Sequence, residues 1–185
     1  MRVLIKQLIR FGLSVWMLAT VNAWSTEIDS ELVKAAEKGN VALVKQILDA
    51  KTVERENLNA AFWAAIKKGN PAIVERFLQA GANINLRAEN GFTPLMQAAR
   101  DGWDQVVEML LEAQADVNAV SEKQDTALIL AAEKDRRKVI PLLLAAHANV
   151  NAKRDNGMTA LTLAAQEGYH HIISILVKAN ADVNY

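Results

Sequence analysis

The chain contains no cysteine. This excludes disulfides, thiol nucleophiles, cysteine-held metals and the lipid-modified cysteine of bacterial lipoproteins, and it suits an oxidising compartment where a free thiol is a liability. Net charge is absent as well, since 21 basic residues balance 21 acidic ones. No basic cluster stands out, so a nucleic-acid surface is not expected. Long apolar runs are missing: the uncharged stretch from Phe11 to Trp24 is 14 residues, against roughly 20 for a spanning helix. Histidine is scarce, with only His147, His170 and His171. The first falls in a loop, and the other two are consecutive at a helix start, where neighbouring side chains diverge by about 100°. A shared metal is therefore not expected. Gly-rich phosphate loops and spaced nucleophile motifs are also lacking, so no catalytic centre and no cofactor is expected. What remains is 185 residues, 51% of them hydrophobic, enough for one continuous core without disulfide or metal staples.

The first 23 residues read as a cleavable signal peptide. Arg2, Lys6 and Arg10 precede the uncharged run, and the small side chains at Val21 and Ala23 place the cut after Ala23. Removing three of the 21 basic residues leaves 18 against 21 acidic, a net charge of −3. The mature domain spans residues 24–185, exported and most simply periplasmic, with secretion as the alternative. No stable membrane insertion is expected after cleavage, and the chain is expected to be a monomer.

Repetition dominates the remainder. Ala82-Asn83-Ile84-Asn85, Ala115-Asp116-Val117-Asn118, Ala148-Asn149-Val150-Asn151 and Ala181-Asp182-Val183-Asn184 recur at a strict interval of 33. In the same frame lie Thr93-Pro94-Leu95, Thr126-Ala127-Leu128 and Thr159-Ala160-Leu161, each followed by an Ala-Ala pair. Gly69, Gly102 and Gly168 keep the period, with Asp135 in the fourth unit. These motifs resemble the ankyrin repeat over nearly everything after residue 23. The resemblance implies an all-α solenoid of about five helix-turn-helix units with projecting β-turns, at roughly 27–54, 55–87, 88–120, 121–153 and 154–185.

Each unit supports that reading physically. Thr is suited to cap the first helix, and Pro94 to its first position, where no amide is left unpaired. The second helix carries an i, i+1, i+4, i+5 stripe, such as Val106, Val107, Leu110 and Leu111, which faces one way and must stack on a neighbouring unit. The first unit has Ser30-Glu31-Leu32 and a Gly39 to Gly69 interval of 30, as expected of an amino-terminal cap whose outer face meets water. Unit four reads as the weak point. Lys123-Gln124 replaces the Asn-Gly of the neighbouring turns, and Pro141 falls within its second helix, where it would delete the amide that reaches the Arg137 carbonyl. Gln114 and His147 stand where the family prefers glycine and would be strained at positive φ.

The resemblance further implies that the turn tips and the exposed face of each first helix form a concave protein-binding groove. Carried over by register, its residues are Glu89, Asn90, Phe92, Arg100 and Asp101; Glu122, Lys123, Asp125, Glu133 and Lys134; and Asp155, Asn156, Met158, Gln166 and Glu167, with Lys67 and Lys68 at the flank. Phe92 and Met158, apolar at turn tips, either anchor a partner or pack on the neighbouring turn. Trp103 and Tyr169 read as packing between units, and Trp63 as core or inter-unit packing. Export with a short array is similar to small periplasmic bacterial ankyrin proteins, a group with members associated with peroxide resistance and catalase function. Two other readings fit the same surface: an immunity or inhibitor protein that neutralises a toxic enzyme, and a secreted effector directed at a host.

Overall fold

The computed structural model describes residues 31–50 and 53–183. The signal peptide read over residues 1–23 lies outside the described residues. Among the described residues ten helices follow one another as antiparallel pairs: α1 (residues 31–38) and α2 (Val41–Asp49), α3 (Arg55–Lys68) and α4 (Pro71–Gln79), α5 (Pro94–Asp101) and α6 (Asp104–Glu112), α7 (Ala127–Glu133) and α8 (Val139–Ala145), α9 (Ala160–Gln166) and α10 (His170–Lys178). There is no strand among the described residues, and no described helix is long and apolar enough to cross a membrane.

Two layers result. The inner helices α3, α5, α7 and α9 pack each on the next, and the outer helices α2, α4, α6, α8 and α10 do the same. Small side chains permit the inner contact: Ala98, Ala99, Ala131 and Ala132 are fully buried. The outer stripe supplies the bulk, with Val106, Val107, Leu110, Val139, Ile140 and Leu143 also inaccessible. Burial of each such side chain contributes about 2 kcal/mol, so a single pair of helices gains little until its neighbours are in place. Val177, at the last position of the corresponding stripe in α10 after Ile172, Ile173 and Leu176, is exposed.

Caps fix where the inner helices begin. The hydroxyls of Thr93, Thr126 and Thr159 accept from the amides of Met96, Ile129 and Thr162 at 3.3, 3.2 and 3.2 Å, and Pro94 occupies the first turn without leaving an amide unpaired. Pro141 proves less disruptive than its place in the sequence suggests. It is the third residue of α8, in the first turn, where an amide has no intrahelical partner to lose.

Adjacent units are also sewn together by side-chain amides. Asn59, Asn85, Asn118 and Asn151 each present Oδ1 to a backbone amide of the following loop, at Asn83, Asp116, Asn149 and Asp182, over 2.7 to 3.0 Å. The aromatic expectation for Trp103 holds. Its ring covers Gly69 of the preceding unit so closely that a Cβ there would lie 2.1 Å from Cδ2, while the residue as a whole stays 37% exposed. Arg136 occupies the same register one unit later, lies over Gly102 and donates from Nε to the Arg100 carbonyl at 2.8 Å.

Candidate protein-binding surface

Three hairpins precede α5, α7 and α9, each closed by one repeated bond: the amides of Ala88, Ser121 and Arg154 donate to the carbonyls of Phe92, Asp125 and Met158 at 3.0, 3.0 and 2.9 Å. Neighbouring tips then join. The Glu122 amide donates to the Asn90 carbonyl and the Asp155 amide to the Lys123 carbonyl, both at 3.2 Å. Within the tips, Asn90 Oδ1 accepts from the Phe92 amide at 3.1 Å and Asn156 Oδ1 from the Met158 amide at 3.2 Å. The middle tip lacks that asparagine, and Ser121 Oγ accepts from Lys123 and Asp125 instead. Gly91, at φ +76°, lets the third-unit tip approach closely, since a Cβ there would stand 2.9 Å from the Glu122 amide nitrogen.

The outcome is a continuous ridge whose backbone is held while its side chains point outward. Glu89, Asn90, Glu122, Lys123, Asp155 and Asn156 are all exposed. Glu89, Glu122 and Asp155 share one register at intervals of 33, so the ridge carries an acidic row with Lys123 beside it. The carboxy-terminal ends of the inner helices add Lys67, Lys68, Lys134, Gln166 and Glu167, also exposed.

Several residues expected at this surface are turned inward. Phe92 is only 9% exposed, and the Arg100 guanidinium lies 5.3 Å from its ring centroid, a cation–π contact. It packs within the turn and offers a partner no free anchor. Met158 is half-buried against the core. Asp125, 5% exposed, is a further correction: its carboxylate pairs with Arg154 Nε. Glu133 is taken up by the same guanidinium at 3.0 Å. Burial works against the charge on Arg154, and the bonds to Glu133 and Asp125 outweigh it, so the guanidinium is held further toward its charged form. Asp101 is occupied by Gln97 Nε2 and, at 3.4 Å, by Arg100 Nε.

Arg154 and Arg87 have roles that the repeat register did not reveal. Arg87 donates to the Gly91 and Val120 carbonyls at 3.3 and 2.9 Å, which braces one tip against the next unit. The available signal was an arginine just before the tip of the third and fifth units, where the fourth has Val120 and Ser121. Among the described residues no group of three His, Asp or Glu side chains is placed to hold a metal ion.

The family model for ankyrin repeats in three copies matches the chain over residues 32–121 and again over 113–185. No curated protein matches it.

Proposed function

Because this chain belongs to the ankyrin-repeat family, a family of protein–protein interaction modules, we propose that it is a non-catalytic binding protein. Its partner lies along the concave groove and the ridge of turn tips. One observation carries the reading. The tip backbones are cross-linked by hydrogen bonds from Glu122 to Asn90 and from Asp155 to Lys123, while the side chains of Glu89, Glu122, Lys123 and Asp155 are left exposed. A surface whose backbone is already ordered loses little conformational entropy on binding, and charged groups arranged along it select a complementary partner and speed the encounter. We place the work in the periplasm, after removal of residues 1–23, with the protein acting as a monomer. Support of catalase or of oxidative-stress resistance is the process we favour.

The test is affinity capture, after crosslinking, of a carboxy-terminally tagged full chain from its native host. Wild type is expected to enrich one envelope protein, and the triple change Glu89→Lys, Glu122→Lys, Asp155→Lys to lose it while melting like wild type. Capture that ignores the triple change sinks the ridge as the contact. Protection from a co-expressed toxic enzyme, with no peroxide sensitivity on deletion, would favour the immunity reading over oxidative-stress support.

A further inference from the structure

Units one and two are joined more tightly in sequence than the others. Residues 50–54 alone separate α2 from α3, whereas residues 80–93, 113–126 and 146–159 precede α5, α7 and α9, and α3 itself begins at Arg55 and runs for 14 residues. One register position differs between units. Met96 and Ile129 are inaccessible in units three and four, whereas Trp63 in unit two, their counterpart at an interval of 33, is only half-buried, as is Thr162 in unit five. Its indole helps line a concavity of about 510 Å³ between α1 and α3, floored also by Val33 and Ala64 and rimmed by Glu37, Lys67 and Lys68.

The rim sets the chemistry. Two ammonium groups face one carboxylate, and neither Lys67 nor Lys68 takes part in an ion pair among the described residues. Both lie in the last turn of α3, where positive charge is favoured by the helix dipole. That accounts for lysine at a helix end, but it leaves both side chains exposed with their hydrogen-bonding capacity free. The volume is that of a small-ligand pocket, enough for one or two side chains and too small for the face of a folded domain. An aromatic floor beside unpaired cations matches an apolar side chain followed by carboxylates, as an acidic linear segment of a protein presents them.

We infer that the concavity between α1 and α3 seats a linear acidic segment of the partner, with an apolar side chain on Trp63 and carboxylates on Lys67 and Lys68. The inference rests on the protein-binding reading above and specifies the chemistry of one end of the groove. It also gives the groove a direction: this end takes acid, whereas the row of Glu89, Glu122 and Asp155 takes base.

The experiment is selection of a random linear-peptide display library on the purified full chain. Synthetic versions of the enriched peptides are then titrated against wild type, Lys67→Glu/Lys68→Glu and Glu89→Lys/Glu122→Lys. Enriched sequences are expected to carry a large apolar residue within a few positions of two or more acidic ones. Affinity should fall at least about tenfold in the double lysine variant and weaken with added salt. Trp63→Phe, which keeps an aromatic floor, should retain most of the binding. Peptides that are basic, or that bind the lysine variant as well as wild type, overturn the inference. If such peptides fail instead on the tip variant, the groove still binds and only this pocket assignment falls. A library that yields no binder also overturns it, because the claim is for a linear segment, while the capture experiment on the ridge remains a separate test. Both lysines are exposed, so the variant is expected to melt like wild type, and a thermal scan checks this.

Discussion

Arg154, in the hairpin of the fifth unit, pairs with Asp125 at the base of the hairpin before it, and Asp125 is 5% exposed. Opposite charges buried across an interface between units hold each other in place, and removing one strands the other. Arg154→Met is expected to lower stability by about 3 kcal/mol, because it leaves a carboxylate in a nearly dry site. Asp125→Ala should cost less, since Arg154 keeps Glu133. Urea unfolding of both variants measures the difference, and equal losses would contradict the asymmetry.

Unit four carries three residues other than glycine at positive φ: Gln124 at 58°, Asp135 at 53° and His147 at 63°. Gln114, at the end of unit three, adds a fourth at 65°. A Cβ in this conformation costs roughly 1 kcal/mol, so Gln114→Gly and His147→Gly should each stabilise by about that amount, read as a shift in urea midpoint with unchanged slope. The concentration of strain also predicts that amides of α7 and α8 exchange before those of α5 and α9. Uniform protection across the three units would remove this account of the weak point.

This strain illustrates what the sequence made legible. Gln114 and His147 stand at positions where the repeat prefers glycine, so their backbone angles follow from register alone. The helix pairs, the threonine caps and the inter-unit apolar stripe follow from the same periodicity, because each unit must bury its face on a neighbour. Burial of individual tip residues did not follow. Register places Phe92, Asp125 and Met158 at one equivalent position, yet their fates are set by particular partners: Arg100 for Phe92, Arg154 for Asp125, the core for Met158. Pro141 likewise required the actual start of α8 before its effect could be judged. Trp63 follows the short link between α2 and α3, which appears in the sequence only as the three-residue shortfall between Gly39 and Gly69, and its partial burial could not be read from register.

Two glycines at equivalent tips should respond differently to the same substitution. Gly91 and Gly157 share a left-handed backbone, at φ 76° and 83°. A Cβ at Gly91 meets the Glu122 amide nitrogen at 2.9 Å, whereas at Gly157 nothing lies within 4 Å. Gly157→Ala should cost about 1 kcal/mol from backbone strain. Gly91→Ala should cost more, because the next tip must shift and its hydrogen bond to Asn90 weakens. Equal urea midpoints for the two variants would show that the tips yield easily, which would also weaken the argument for an ordered ridge.

Acid should loosen unit four in a defined way. A hydrogen bond from Arg137 holds the Asp135 carboxyl below its ordinary 3.8; burial opposes the shift, and the charges of Arg137, His171 and Arg136 add to it. The folded value is the lower one, so this contribution is fully present above the ordinary value and is lost as pH falls through the folded value. Asp135→Asn tolerates the same backbone angle and removes the charge. Its urea midpoint should lie below wild type at neutral pH by a constant margin, and that margin should close as the pH is taken down past about 4. A margin that persists in strong acid would assign the effect to packing instead of charge.

Phe92 is where stability and recognition are most easily confused. Its ring is buried beneath Arg100 at 5.3 Å, so Phe92→Ala opens a cavity at the base of a tip and should destabilise by about 2 to 3 kcal/mol. Loss of partner binding in that variant would therefore report a disordered hairpin, not a deleted contact. Phe92→Leu preserves most of the volume and removes the ring, and it should restore stability to within about 1.5 kcal/mol of wild type together with binding. Arg100→Ala should cost only about 0.5 to 1 kcal/mol through the lost cation–π contact. If Phe92→Leu folds like wild type but fails to bind, the ring reaches the partner after all, and Phe92 returns to the recognition surface.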